Sequence, residues 1–247
     1  MAKVKKATAD KARITRTVVS AADKNGEEIA AGVEPLVFPE GAPAELTLAA
    51  VIVALGAGLD SIQKELERLD TALIEEVDQD EAASEAIVAR KEELRSALVR
   101  ARSGSEACFG TTGLVAMGLG EAVPSGTELL LRYADTAGPR IESASVEPIA
   151  SDMSMNRPAV AADIGTRTAA LRAAIDHDAF EVRDTQSARG KRDQQALLWQ
   201  RAYSGFADAI AGLATAAGLT HIADRVRPTA RRRAGVPEDI DLNPTEL

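Results

Sequence analysis

Apolar residues recur along this chain at helical spacing in two long regions, each with a polar middle. From Leu55 the sequence sets Leu59, Ile62, Leu66, Leu69 and Leu73 at alternating steps of four and three, the a/d seam of a coiled-coil helix. The seam fades through EEVDQDEAASE, Glu75 to Glu85, and resumes at Ile87, Leu94 and Leu98. No glycine or proline interrupts the chain between Leu59 and Ser103, which fits one helix of about 60 residues, roughly 90 Å at 1.5 Å per residue. A helical hairpin turning in the acidic stretch fits too, and better matches ordinary helix lengths.

The second region follows Pro158. Ile164, Thr168, Leu171, Ile175 and Val182 keep the spacing, RDTQSARGKRDQQ (Arg183 to Gln195) is polar, and Leu198, Tyr203, Phe206, Ile210 and Leu213 restore the stripe. Ala217-Gly218-Leu219 closes this region as a glycine-rich stretch closes the first. The shared plan points to a distant internal duplication, or to two hairpins packed as a four-helix arrangement.

The remaining segments read differently. Between Arg13 and Phe38, β-branched runs flank Asn25-Gly26, a dipeptide that favours a type I′ turn, and Pro35 and Pro39 argue against helix. The expectation is an arm holding a β-hairpin, docked on the helices or on a neighbouring chain because a lone hairpin is marginal. Thr127 is expected to cap a short helix, ELLLRYAD, that Gly138-Pro139 breaks. SDMSMNRP, Ser151 to Pro158, reads as a loop, and RPTARRRAGVPEDIDLNPTEL as an extended tail. The predicted fold is all-α: coiled-coil-like long helices or two helical hairpins in an elongated bundle. Its segments are an arm (1–43), a first helical region (44–104), a connector with a short helix (105–157), a second helical region (158–220) and a basic-then-acidic tail (221–247).

Composition supports this. Only 3% of the 247 residues are aromatic against 45% hydrophobic, so the core is built of Ala, Leu, Val and Ile, which suits close-packed helices. The net charge of −9 disfavours non-specific nucleic-acid binding. Charge is unevenly placed: Lys3, Lys5, Lys6, Lys11, Arg13 and Arg16 crowd one end, Arg225, Arg227, Arg231, Arg232 and Arg233 the other, and acid dominates Glu65 to Glu93. The single cysteine, Cys108, excludes an intramolecular disulfide and a cysteine-based zinc site. The basic start lacks an apolar h-region, and the most apolar stretch, Leu46 to Leu59, falls short of the roughly 20 residues a membrane helix needs. A cytoplasmic protein without a membrane span is expected.

CFGTTGLVAMGLGEAVPSGTELLLRYAD and FADAIAGLATAAGLTHIADRVRPTARRRAG, beginning at Cys108 and Phe206, resemble pieces of a loosely defined group of uncharacterised bacterial all-helical proteins. The resemblance spans residues 44 to 235. It implies helical architecture and carries no catalytic residue or activity.

Candidate chemistry is sparse. Gly110, Gly113, Gly118, Gly120 and Gly126 suggest a phosphate loop, but no lysine lies between Lys91 and Lys191, and Val123 stands where a dinucleotide fingerprint needs its third glycine or alanine. A joint between helical blocks is the better reading. His177, Glu181 and Asp184 share a helix face at i, i+4 and i+7 and are the candidates for a metal, but no Glu-x-x-His pattern supports them, and a solvated acidic face explains them more simply. His221 follows a helix end and reads as a cap or loop residue. Cys108 reads as a small buried side chain. Trp199, Tyr203 and Phe206 form an aromatic cluster, either packing or an anchor at a subunit contact. The arginines from Arg225 to Arg233 suit docking to a protein, with nucleic-acid phosphates the less favoured partner.

Together these features predict a non-enzymatic structural or interaction protein with no cofactor, self-associating or part of a larger assembly through helix faces and terminal arms. The alternatives are a metal- or small-molecule-binding helical bundle using His177, Glu181 and Asp184, and a nucleic-acid-associated protein using the arginine cluster.

Overall fold

A computed structural model describes residues 5–41, 43, 45, 47–150, 152 and 154–237. Among them are six helices and no strand: α1 (Lys6–Val37), α2 (Leu48–Ala116), α3 (Thr127–Ser143), α4 (Arg157–Ala216), α5 (Thr220–Val226) and α6 (Ala230–Arg233).

The expected β-hairpin is instead helix α1. Ile14, Val18, Ala21, Ala22, Ile29, Ala30 and Val33 fall on one helical face and are buried, and burying that stripe outweighs the turn preference of Asn25-Gly26. Asn25 donates its side-chain amide to the Ala21 carbonyl at 3.2 Å, and Gly26 is buried beside Ile52 and Val53. Pro35 lies within the last turns, where it and Ala31, whose carbonyl loses its donor, are both exposed to water. Glu34 then links two helices: its Oε1 accepts from the Leu48 N–H opening α2, at 3.2 Å, while Thr47 Oγ1 accepts from Ala50 N.

Each periodic region is one long helix, not a hairpin: the acidic stretch of α2 and the polar middle of α4 both stay helical. In the first part of α2 the buried stripe is Ile52, Gly56, Leu59, Gln63, Leu66, Asp70 and Leu73, again at steps of four and three. It differs from the leucine seam at Leu55, Ile62 and Leu69, which lie half-buried on the flank. Gly110, with φ 65° and ψ −167°, lies outside helical geometry, so α2 is two helical stretches meeting at a kink there, and the Cys108 carbonyl at the kink accepts from Ile149 N at 2.9 Å.

The stretch past the kink closes at Gly118 (φ 71°). Gly118 N donates to Val115 O and Leu119 N to Leu114 O, a Schellman cap. Helix α4 ends identically at Gly218 (φ 79°), with Gly218 N on Thr215 O and Leu219 N on Ala214 O. In α3, Gly126 rather than Thr127 is the N-cap, and the helix runs through Gly138-Pro139, with Gly138 buried and Pro139 exposed. Asn156 caps α4, its Oδ1 accepting from Ala159 N at 3.1 Å. The expected tail begins with a helical turn, α6; its end, residues 238–247, lies outside the described residues.

The chain divides into two compact units, neither contiguous in sequence: residues 1–76 with 186–247, and residues 77–185. They share a plan. Unit 1 combines α1, the first part of the α2 that follows it, and the last part of α4. Unit 2 combines α3, the first part of the α4 that follows it, and the last part of α2. The two long helices run antiparallel within each unit, shown by Asp70–Arg192 and Gln195–Ile62 in unit 1 and by Ser84–Asp178 and Glu93–Arg167 in unit 2. The unit 1 core gathers α1's apolar face, Ile52, Leu59 and Leu66 of α2, Trp199, Tyr203 and Ile210 of α4, and Ile222 and Val226 of α5. Unit 2 packs Leu94, Leu98 and Phe109 against Leu130 and Ile141 of α3 and Ile164 and Leu171 of α4.

Candidate functional site

The densest set of buried polar groups lies in unit 1, where α1, α2 and α4 meet. Asp70 replaces a leucine in the buried stripe and has no exposed surface. Its Oδ2 accepts from the Lys5 backbone N–H at 3.0 Å, and Oδ1 lies 3.3 Å from Nε of Arg192. Gln63, one turn earlier, donates to the Thr8 carbonyl at 3.3 Å and to Glu67 Oε1 at 3.1 Å. Trp199 donates its indole N–H to Thr15 Oγ1 at 2.9 Å. Tyr203, one turn on, stacks beneath the indole with ring centroids 5.2 Å apart and planes within 5°. Lys11 spans the set, its Nζ 5.4 Å from the indole centroid. Burial, and then the Arg192 guanidinium, hold the Lys11 ammonium below a lysine's ordinary 10.5, against the opposing pull of Asp10 and Asp70. These groups tie the start of α1 to the middle of both long helices.

The sequence-selected residues have distinct fates. Trp199 and Tyr203 are fully buried in their own unit and Phe206 is half-buried, so the aromatic trio packs the core of this chain. Arg232 is also buried, and its Nη1 donates to the carbonyls of Arg225 at 2.9 Å and Arg227 at 3.1 Å, closing the α5–α6 turn. Arg233 pairs with Asp208 at 3.1 Å and Arg227 lies 3.8 Å from Asp224. Arg225 and Arg231 are exposed. The α6 turn places Gly235 against the Lys11 side chain. The two basic ends, some 200 residues apart in sequence, therefore belong to one unit.

His177 is exposed, with Nε2 3.6 Å from Oε1 of the buried Glu181. Asp184 does not join them: among the described residues, no three His, Cys, Asp or Glu side chains come together to hold a metal. His221 lies within α5 and is exposed. Cys108 is half-buried. The amides of Gly118 and Leu119, which a phosphate loop would turn outward, are engaged by helix carbonyls. Unit 2 holds an open groove between α3 and α4 whose lining includes the small residues Ala134, Gly138, Ala161, Gly165 and Ala169 and the pair Arg172–Asp135, 2.6 Å apart. Among the described residues, no helix is long and apolar enough to cross a membrane.

The sequence reading missed Asp70, Gln63 and Thr15, and took Lys11 only as one of a basic run. A signal existed for two of them: Gln63 and Asp70 stand four residues after Leu59 and Leu66 and three before Leu66 and Leu73, at seam positions where a polar residue needs a buried partner. Comparison of the chain with family models, with curated proteins and with solved structures finds no match.

Proposed function

We propose that this protein is a non-enzymatic helical component that associates with itself, or within a larger assembly, through the outward faces of its long helices. One observation carries the reading. While Asp70, Arg192, Trp199 and Arg232 hold the fold together from within, large apolar side chains stand on outer helix faces: Val88 is 68% exposed, Phe180 57%, Leu197 58% and Leu129 60%. Exposed apolar surface on such faces suits contact with another helix. Native mass spectrometry of the purified chain tests this: a multimer, or a complex with a co-purifying protein, is expected, and a bare monomer at every concentration contradicts it.

A second reading has its own support. Helices α5 and α6 bring exposed Arg225 and Arg231 into the same unit as exposed Lys6, Arg13 and Arg16 of α1, a grouping that suits nucleic-acid phosphates. Replacing Arg225, Arg227 and Arg231 with alanine should then abolish a low-salt gel shift. Absence of any shift by the wild type removes this reading.

A further inference from the structure

We propose that the outward face of α4 in unit 1 is a self-complementary seam on which a second copy of this chain docks antiparallel, with a two-fold axis passing between Ser204 and Gly205. The proposal rests on the self-association reading above and names its face.

Leu197, Arg201, Ser204, Gly205, Asp208 and Gly212 follow one another at helical steps on the side of α4 facing away from Trp199 and Tyr203. All are exposed except the half-buried Ser204. Leu197, Arg201 and Ser204 line a shallow depression there. Two features of this face have no explanation among the described residues. Leu197 is 58% exposed, and the adjoining Leu198 is 41% exposed. Gly205 and Gly212 lie in the interior of a helix, where glycine is disfavoured relative to alanine, although a Cβ at either position would meet nothing within 4 Å.

An antiparallel copy accounts for both. Setting Ser204 opposite Gly205 of the second copy aligns Leu197 with its Gly212 and Arg201 with its Asp208, and symmetry repeats each contact. The leucine enters the space a missing side chain leaves, and opposite charges face each other across a gap that the small residues at the axis keep narrow. Arg233 already holds Asp208 Oδ2 at 3.1 Å, which orients the carboxylate. A parallel copy would set leucine on leucine, glycine on glycine and Arg201 on Arg201, placing like charges together. Charge therefore selects the antiparallel register.

Full-length protein carrying Cys108→Ala and Ser204→Cys tests the register under mild oxidation. A disulfide-linked dimer is expected, because the two introduced thiols flank the axis. Ser61→Cys in the same background, exposed on α2, should remain unlinked. In sedimentation equilibrium, Arg201→Asp should weaken the dimer at least about 30-fold, as loss of a central contact does. Adding Asp208→Arg to it, together with Arg233→Ala so that the new arginine meets no like charge from its own chain, should restore affinity to within about threefold, since the pair is then reversed. Circular dichroism checks that these surface variants keep the fold. A wild-type dimer indifferent to Arg201→Asp and not linked through residue 204 overturns this face while leaving self-association intact. A wild type that stays monomeric overturns both.

Discussion

Truncating Asp70 to alanine removes the acceptor of the Lys5 N–H and the buried carboxylate paired with the Arg192 guanidinium, which keeps Asp193 at 2.9 Å. The expected loss is about 3 kcal/mol in urea unfolding, the scale of a broken buried pair, and part of it should return when Arg192 is also made apolar. Lys11 gives a pH-dependent counterpart. Its folded-state affinity for a proton is lowered, chiefly by burial, so the unfolded chain binds that proton more tightly. Lys11 therefore opposes folding at neutral pH, and the opposition is relieved as pH rises from the folded value toward 10.5. Lys11→Met should flatten the rise in urea midpoint that this residue contributes in that alkaline window; an unchanged slope contradicts the assignment. Glycines supply a third contrast. A Cβ on Gly32 would lie 2.7 Å from the Ala217 Cβ, whereas one on Gly104 meets nothing within 4 Å. Gly104→Ala should stabilise by about 0.5–1 kcal/mol and Gly32→Ala should destabilise, both read from thermal melts.

At the scale of elements, the matching caps of α2 and α4 make a paired prediction. Gly118→Ala and Gly218→Ala each force a Cβ into the left-handed region, and each should cost about 1 kcal/mol. Similar losses at both sites support equivalent helix ends, whereas an unaffected melt at either contradicts the cap there. These helices were the legible part of the sequence. Their four-three periodicity marked both regions as helical but left rod and hairpin equally open, and Gly218 reported where the second one stops. The arm was misread because Asn25-Gly26 and Pro35 carry strong local preferences, while the apolar stripe from Ile14 to Val33 acts only through contact with α2, α4 and α5. Gly138-Pro139 misled in the same way: a proline on the exposed side of a helix removes a donor whose acceptor water can satisfy. Of the candidate site residues, aromatic spacing located a real cluster and left packing and a subunit anchor open, and the burial of Trp199 and Tyr203 favours packing. Arg232 looked like its neighbours until the α5–α6 turn brought two carbonyls to it.

At the scale of the whole molecule, the two units repeat one plan, a shorter helix beside the first part of one long helix and the last part of the other. This gives the apolar–polar–apolar reading a structural counterpart: the apolar halves of each rod fall in different units, with the chain passing between them at residues 76–77 and 185–186. Such an organisation devotes the chain to extended helix faces, and the central claim is that those faces meet other copies. Sedimentation equilibrium of the wild-type chain over a wide concentration range tests it most directly. A reversible rise in mass from monomer to dimer is expected, weakened by Arg201→Asp. A single monomer mass throughout contradicts the account.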